Sequence, residues 1–188
     1  MLIPNFNQCN SLLEFYNYAC ECFVKEYGPE FILYYQHIQR LITECDSYKE
    51  LGVLSGVSAA AAWIGNTNLK YIELVDVNFD TITPHRHLFE QECKNRIVFN
   101  HNSSIDTSIP VSTVDMLMVD SIHSYKHVCA EIKLHAPKVN KYIVFHDAKY
   151  PPIKQAIDEF VVKGEWEYVV YDDRSFGYAI IQRKENSQ

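Results

Sequence analysis

The chain is short of positive charge, with 17 lysines and arginines against 24 aspartates and glutamates and a formal net charge of −7. A basic face is what neutralises phosphates, so no nucleic acid or anionic membrane partner is expected. No run approaches the roughly 18 to 20 apolar residues that span a bilayer. The start, MLIPNFNQCN, has neither the basic segment nor the apolar core of a secretory signal, which points to a cytoplasmic protein. Cysteine is sparse: six residues, at 9, 20, 22, 45, 93 and 129, with no C-x-x-C pair and no histidines at finger spacing. A structural zinc site is therefore not expected, and the thiols read as reduced side chains that pack as small hydrophobes. Repeats and low-complexity segments are absent too, which removes solenoids and flexible linkers from consideration.

What is present suits a folded single domain. The 188 residues are 47% hydrophobic and 22% charged, enough to bury a substantial core. Two helical patterns come first. Asn10 or Ser11 can cap one, with Glu14 completing a capping box before Leu12, Phe15, Tyr16, Ala19, Phe23 and Tyr27; Gly28 and Pro29 end it. The second runs from Glu30 through Tyr34, Tyr35, Ile38 and Leu41 to Cys45. These helices make residues 1–46 an N-terminal extension to a body at 47–188. Their aromatic stripe has three possible fates: packing on the sheet, roofing a pocket, or forming a homodimer contact.

From Ser47 the period changes, and short β-type runs alternate with helices in the manner of βαβ units. The strands are predicted at 48–51, 70–75, 96–99, 114–119 and 141–145. The helices between them are predicted at 57–64, at 84–93 with Thr83 as cap, at 125–135 with Ser124 as cap, and at 152–163. Two last strands, 166–171 and 178–182, are separated only by DDRSFG. That is too short for a parallel crossover and requires an antiparallel hairpin.

Ligands of open α/β sheets bind at the carboxyl ends of the strands, and polar residues collect at each of those ends. After the first strand come Glu50, Gly52, Ser55 and Gly56; after the second, Asp76; after the third, Asn102, Ser103 and Ser104. The fourth ends in Asp120 and His123, and the fifth in His146 and Asp147. Asp76 lies 20 residues beyond Gly56, where a carboxylate can accept hydrogen bonds from both ribose hydroxyls of an adenosine cofactor. The dinucleotide fingerprint G-x-G-x-x-G is missing, since the glycines fall as G-x-x-x-G. The remaining histidines, 37, 85, 87, 101, 127 and 135, read as surface or helix-face residues. Asp115, Asp158 and Glu159 read as solvated or capping groups.

The stretches VDSIHSYKHV (119–128) and IVFHDAKYPPIKQAIDEF (143–160) each run from an apolar strand into acid and imidazole, then into a helix. With the G-x-x-x-G loop before them, these motifs resemble the class I S-adenosylmethionine-dependent methyltransferases, in particular a small family with "IDGDHSYE"-type and "IVFHD"-type strand ends. The resemblance covers Ser47 to Arg183. It implies an α/β, Rossmann-like sheet, mostly parallel with a C-terminal antiparallel hairpin, flanked by helices and preceded here by the two N-terminal ones.

It further implies S-adenosylmethionine as cofactor, with Glu50, Gly52, Ser55 and Gly56 along its methionine part, Asp76 at the ribose, Ser103 or Ser104 near the adenine, and Asp120 beside it. The chain departs from the family pattern in three places. Leu54 fills the middle glycine position, Ser121 and Ile122 replace the Gly-Asp of "DGDH", and Asn140 and Lys141 stand where a Gly-Gly turn is usual. A leucine in the loop is tolerated if its φ is negative and its side chain points inward.

The activity implied is O-methylation of a small hydroxylated acceptor such as a sugar. His123, His146 and Asp147 are the candidate catalytic residues, and either histidine can serve as base because imidazole titrates near neutral pH. Relatives that hold a divalent metal such as magnesium do so after the fourth and fifth strands, which maps onto Asp120, His146 and Asp147. The rival reading is a non-catalytic binding module that keeps the fold; a nicotinamide-dependent oxidoreductase is disfavoured by the terminal hairpin.

Overall fold

A computed structural model describes residues 9–185. The first helix, α1 (Leu12–Tyr27), starts at Ser11, whose hydroxyl accepts the Glu14 N–H at 3.2 Å. Glu14 reaches back to the N–H of Asn10 rather than that of Ser11, a capping box stretched by one residue. After a 3-10 turn at Pro29–Ile32, α2 (Leu33–Leu41) completes the N-terminal pair.

Five parallel strands follow: β1 (Ser47–Leu51), β2 (Tyr71–Asp76), β3 (Ile97–His101), β4 (Val114–Val119) and β5 (Val139–His146). They alternate with α3 (Val57–Gly65), α4 (Arg86–Cys93), α5 (Tyr125–His135) and α6 (Pro151–Val161). The hairpin expected at the end is present as β6 (Trp166–Asp172) and β7 (Tyr178–Arg183), with β7 antiparallel to β5. The sheet order is β3-β2-β1-β4-β5-β7-β6. Strand order therefore reverses between β1 and β4, and that crevice is where an open α/β sheet takes a ligand.

The central strands are buried on both faces, and their alternation divides the core. Tyr48, Ile72, Leu74, Met116, Met118 and Val144 face α1 to α4, while Leu51, Val75, Leu117, Val119, Ile143 and Phe145 face α5 and α6. Phe15, Tyr16, Tyr34 and Tyr35 are buried in the first of these layers, so the aromatic stripe is spent on core packing.

Several sequence expectations change here. Thr83 does not cap a helix: it sits in a 3-10 turn, its hydroxyl donating to Phe79 O, and the α-helix begins only at Arg86. Asn140 and Lys141 lie inside β5, which begins at Val139, so no glycine turn is needed there. Of the histidines expected at the surface or on a helix face, His135 lies on the buried face of α5 and His85 in the 3-10 turn before α4, 4% and 1% exposed.

Candidate active site

The turn after β1 is built by three groups outside it. Gly52 has φ 80°, and a Cβ on it would stand 2.1 Å from the Asp120 carbonyl oxygen. Gly56, at φ 79°, starts α3 with its α-carbon against Ile82 and Phe89, so it serves helix packing and does not line the cavity beside the turn. Asp76, at the end of β2, accepts the N–H of Val53 at 2.7 Å and of Asn78 at 2.9 Å. A carboxylate has about four acceptor sites, so these bonds leave capacity for hydroxyls from the cavity that Asp76 lines.

Leu54 departs from the condition set for it above. Its φ is +47° and its side chain is 47% exposed, so the loop adopts a left-handed leucine pointing outward at the cavity mouth.

Two buried histidines brace the site, and sequence reasoning missed both. His85 Nε2 donates to Ser55 O at 2.6 Å, with its ring stacked on Phe15, and His135 Nε2 donates to Ser104 O at 2.7 Å. A carbonyl can only accept, so both rings carry their proton on Nε2. Burial lowers both pKa values and keeps the rings neutral. The one signal was their place on apolar helix faces, His135 following Val128 and Ile132.

Glu50 is 1% exposed and lies beneath the turn, outside the cavity, bonded by the Ser58 hydroxyl and by Tyr48 OH at 2.8 Å. Burial pushes its carboxyl up to about 8, although both hydroxyl bonds oppose the shift. Ser55 is buried as well and also lies off the cavity wall. The structure does bring Gly52, Asp76, Asn102, Ser103, Ser104 and Asp120 to one cavity of about 450 Å³.

A second cavity, of about 720 Å³, adjoins the first and is bounded by Lys149, Tyr150, Ser175 and Phe176. The two share His123, His146 and Asp147. His146 is the buried member. Its Nδ1 lies 3.3 Å from Asp120 Oδ1 and 3.2 Å from Asp147 Oδ2, yet makes no hydrogen bond of acceptable geometry. His123, half-exposed, places Nε2 3.3 Å and 3.0 Å from the same two oxygens. Asp147 reaches this position from a backbone at φ +53°, a conformation that costs a non-glycine residue about 1 kcal/mol or more.

The charges reinforce one another. Burial alone would lower His146, but the Asp120 and Asp147 carboxylates outweigh it and raise the imidazole to about 10. Burial alone would raise Asp120, and the two imidazoles instead hold it below the usual carboxylate range. His123 is raised, chiefly by its bond to Asp120.

A model of a methyltransferase domain matches residues 49–148, just over half of the chain. The chain belongs to this methyltransferase family. No curated protein matches it. Among solved structures, the methyltransferase is similar to the O-methyltransferase from Bacillus cereus in complex with SAH, at 12% identity and TM-score 0.69, over 98% of this chain and 94% of that one. It is similar also to the SAH-bound Podospora anserina methyltransferase PaMTH1, at 15% identity and TM-score 0.65, over 94% and 89% of the two chains. At such identities the likeness concerns the fold. In this methyltransferase no helix among the described residues is long and apolar enough to cross a membrane.

Proposed function

We propose that the chain transfers a methyl group from S-adenosylmethionine to a hydroxyl of a small acceptor, such as a sugar or another diol. One observation carries the reading: two adjoining cavities share His123, His146 and Asp147. The cavity beside the β1 turn offers Gly52, Asp76, Ser103 and Ser104 to an adenosine cofactor. The SAH bound by two structural neighbours supports an adenosine-bearing cofactor for this fold.

Methyl transfer from a sulfonium is an in-line displacement. The acceptor oxygen bonds to the methyl carbon, the carbon–sulfur bond breaks with its electron pair on sulfur, and the hydroxyl proton leaves to a base. His123 is the group placed for that proton, since it is half-exposed, faces both cavities and is oriented by Asp120 and Asp147. His146, buried with its Nδ1 close to two carboxylates but in hydrogen-bond geometry with neither, suits orientation better than proton uptake.

Asp120, His146 and Asp147 each place a donor atom within 4.8 Å of the others, and His146 Nδ1, aimed between the two carboxylates with no hydrogen bond to either, fits a metal ligand. A divalent ion bound there supplies Lewis acidity to an acceptor hydroxyl.

Calorimetric titration with S-adenosylmethionine and S-adenosylhomocysteine, with and without divalent metal, tests the cofactor. Radiolabelled methyl transfer to a panel of sugars and catechols tests the acceptor. Absence of binding at millimolar cofactor overturns the reading. His123→Ala is expected to lower kcat at least 100-fold, with cofactor affinity unchanged within about threefold.

A further inference from the structure

The donor set after β4 and β5 differs from an all-oxygen cage in one member, and that member is the most rigidly held. His146 is 8% exposed. Its ring lies 4.8 Å from that of Tyr34, with Phe31 edge-on at 6.1 Å and Phe176 at 6.4 Å. Packed on three aromatic rings, the imidazole has little freedom to swing aside. Its Nδ1 points between the Asp120 and Asp147 carboxylates and has no hydrogen-bond partner.

Magnesium is a poor candidate. It is a hard ion that takes oxygen ligands and gives up its waters reluctantly, so an imidazole fixed at one corner gains it little. Zinc, cobalt and nickel accept imidazole nitrogen and carboxylate together, and three protein donors leave positions open for an acceptor oxygen.

We propose that Asp120, His146 and Asp147 form a centre selective for a borderline divalent transition ion over magnesium, and that His146 sets the choice. The inference deepens the metal assignment of the proposed function and rests on it. Its test reads ion binding alone, without cofactor or acceptor, so loss of methyl transfer does not bear on it.

The full chain, stripped with a chelator, is titrated with zinc, cobalt and magnesium chlorides by calorimetry. Zinc and cobalt are expected to bind one per chain and at least 100-fold more tightly than magnesium. His146→Asn presents an amide oxygen in place of the nitrogen. This variant is expected to cut the zinc-to-magnesium affinity ratio at least tenfold, whereas Lys149→Met leaves it unchanged. Magnesium binding the wild type as tightly as zinc, no ion binding at all, or an unchanged ratio in a folded His146→Asn variant would each overturn the proposal. Because a substitution at a buried residue can impair folding, a second measurement uses the wild type only. Pulsed electron paramagnetic resonance of the manganese-loaded protein is expected to show nitrogen hyperfine coupling from a directly bound imidazole; a spectrum with oxygen ligands alone sinks the assignment.

Discussion

A Cβ built on Gly52 would stand 2.1 Å from the carbonyl oxygen of Asp120, so β1 and β4 stay close past their carboxyl ends, with no room for a side chain between them. The contact lies at the reversal of strand order and couples the proposed cofactor turn to the acid beside the two histidines. Gly52→Ala therefore adds a clash with backbone to a left-handed φ. A destabilisation of about 3 kcal/mol is expected in urea unfolding, with loss of cofactor binding in the fraction that folds.

Leu54 is the reverse case, a leucine in a conformation that suits glycine. Leu54→Gly relieves about 1 to 2 kcal/mol of left-handed strain and adds about 0.5 to 1 kcal/mol of chain entropy cost. The melting temperature is expected to move by only a few degrees. With the side chain gone from the cavity mouth, S-adenosylhomocysteine should bind several-fold more tightly by calorimetry; weaker binding would show that Leu54 is a cofactor contact.

Glu50 makes stability depend on pH. Its carboxyl is pushed up to about 8 in the folded chain, against an ordinary value of 4.5. Between those values the folded state holds a proton that the unfolded state has lost. The stabilisation is thus complete below about 4.5 and is lost as pH rises through 8. Glu50→Gln removes this dependence. The stability difference between variant and wild type should shift towards the variant by up to about 4 kcal/mol from pH 5 to pH 9. Denaturant melts at both pH values measure it, and parallel curves would refute the assignment.

His135 holds the carbonyl of Ser104, a residue that lines the proposed cofactor cavity. His135→Ala leaves that buried carbonyl unpaired and is expected to cost about 1 to 3 kcal/mol in stability. As a positioning residue it should raise KM for the cofactor more than it lowers kcat. Equal effects on both would place its influence elsewhere.

The parallel sheet, its terminal hairpin and the strand ends that carry chemistry were legible along the chain. Short apolar runs alternating with helical patterns are local signals, and DDRSFG leaves no length for a crossover. Asp76, Asp120, His123, His146 and Asp147 could be placed for the same reason, since a residue just past a strand's carboxyl end goes wherever the sheet puts that end. Packing in three dimensions decided the rest. Glu50 sits one residue before a strand's end, yet pleat and neighbours bury it against Tyr48 and Ser58 instead of exposing it to the cavity. His85 and His135 read only as surface or helix-face residues because nothing near them in sequence reveals the carbonyls of Ser55 and Ser104, about 30 positions away. The left-handed turn at Leu54 depends on the Asp76 carboxylate from another strand. Spacing along a chain determines which elements form and which residues stand at their ends. Which face is buried, and which distant group satisfies a polar atom, is settled only when the strands and helices meet.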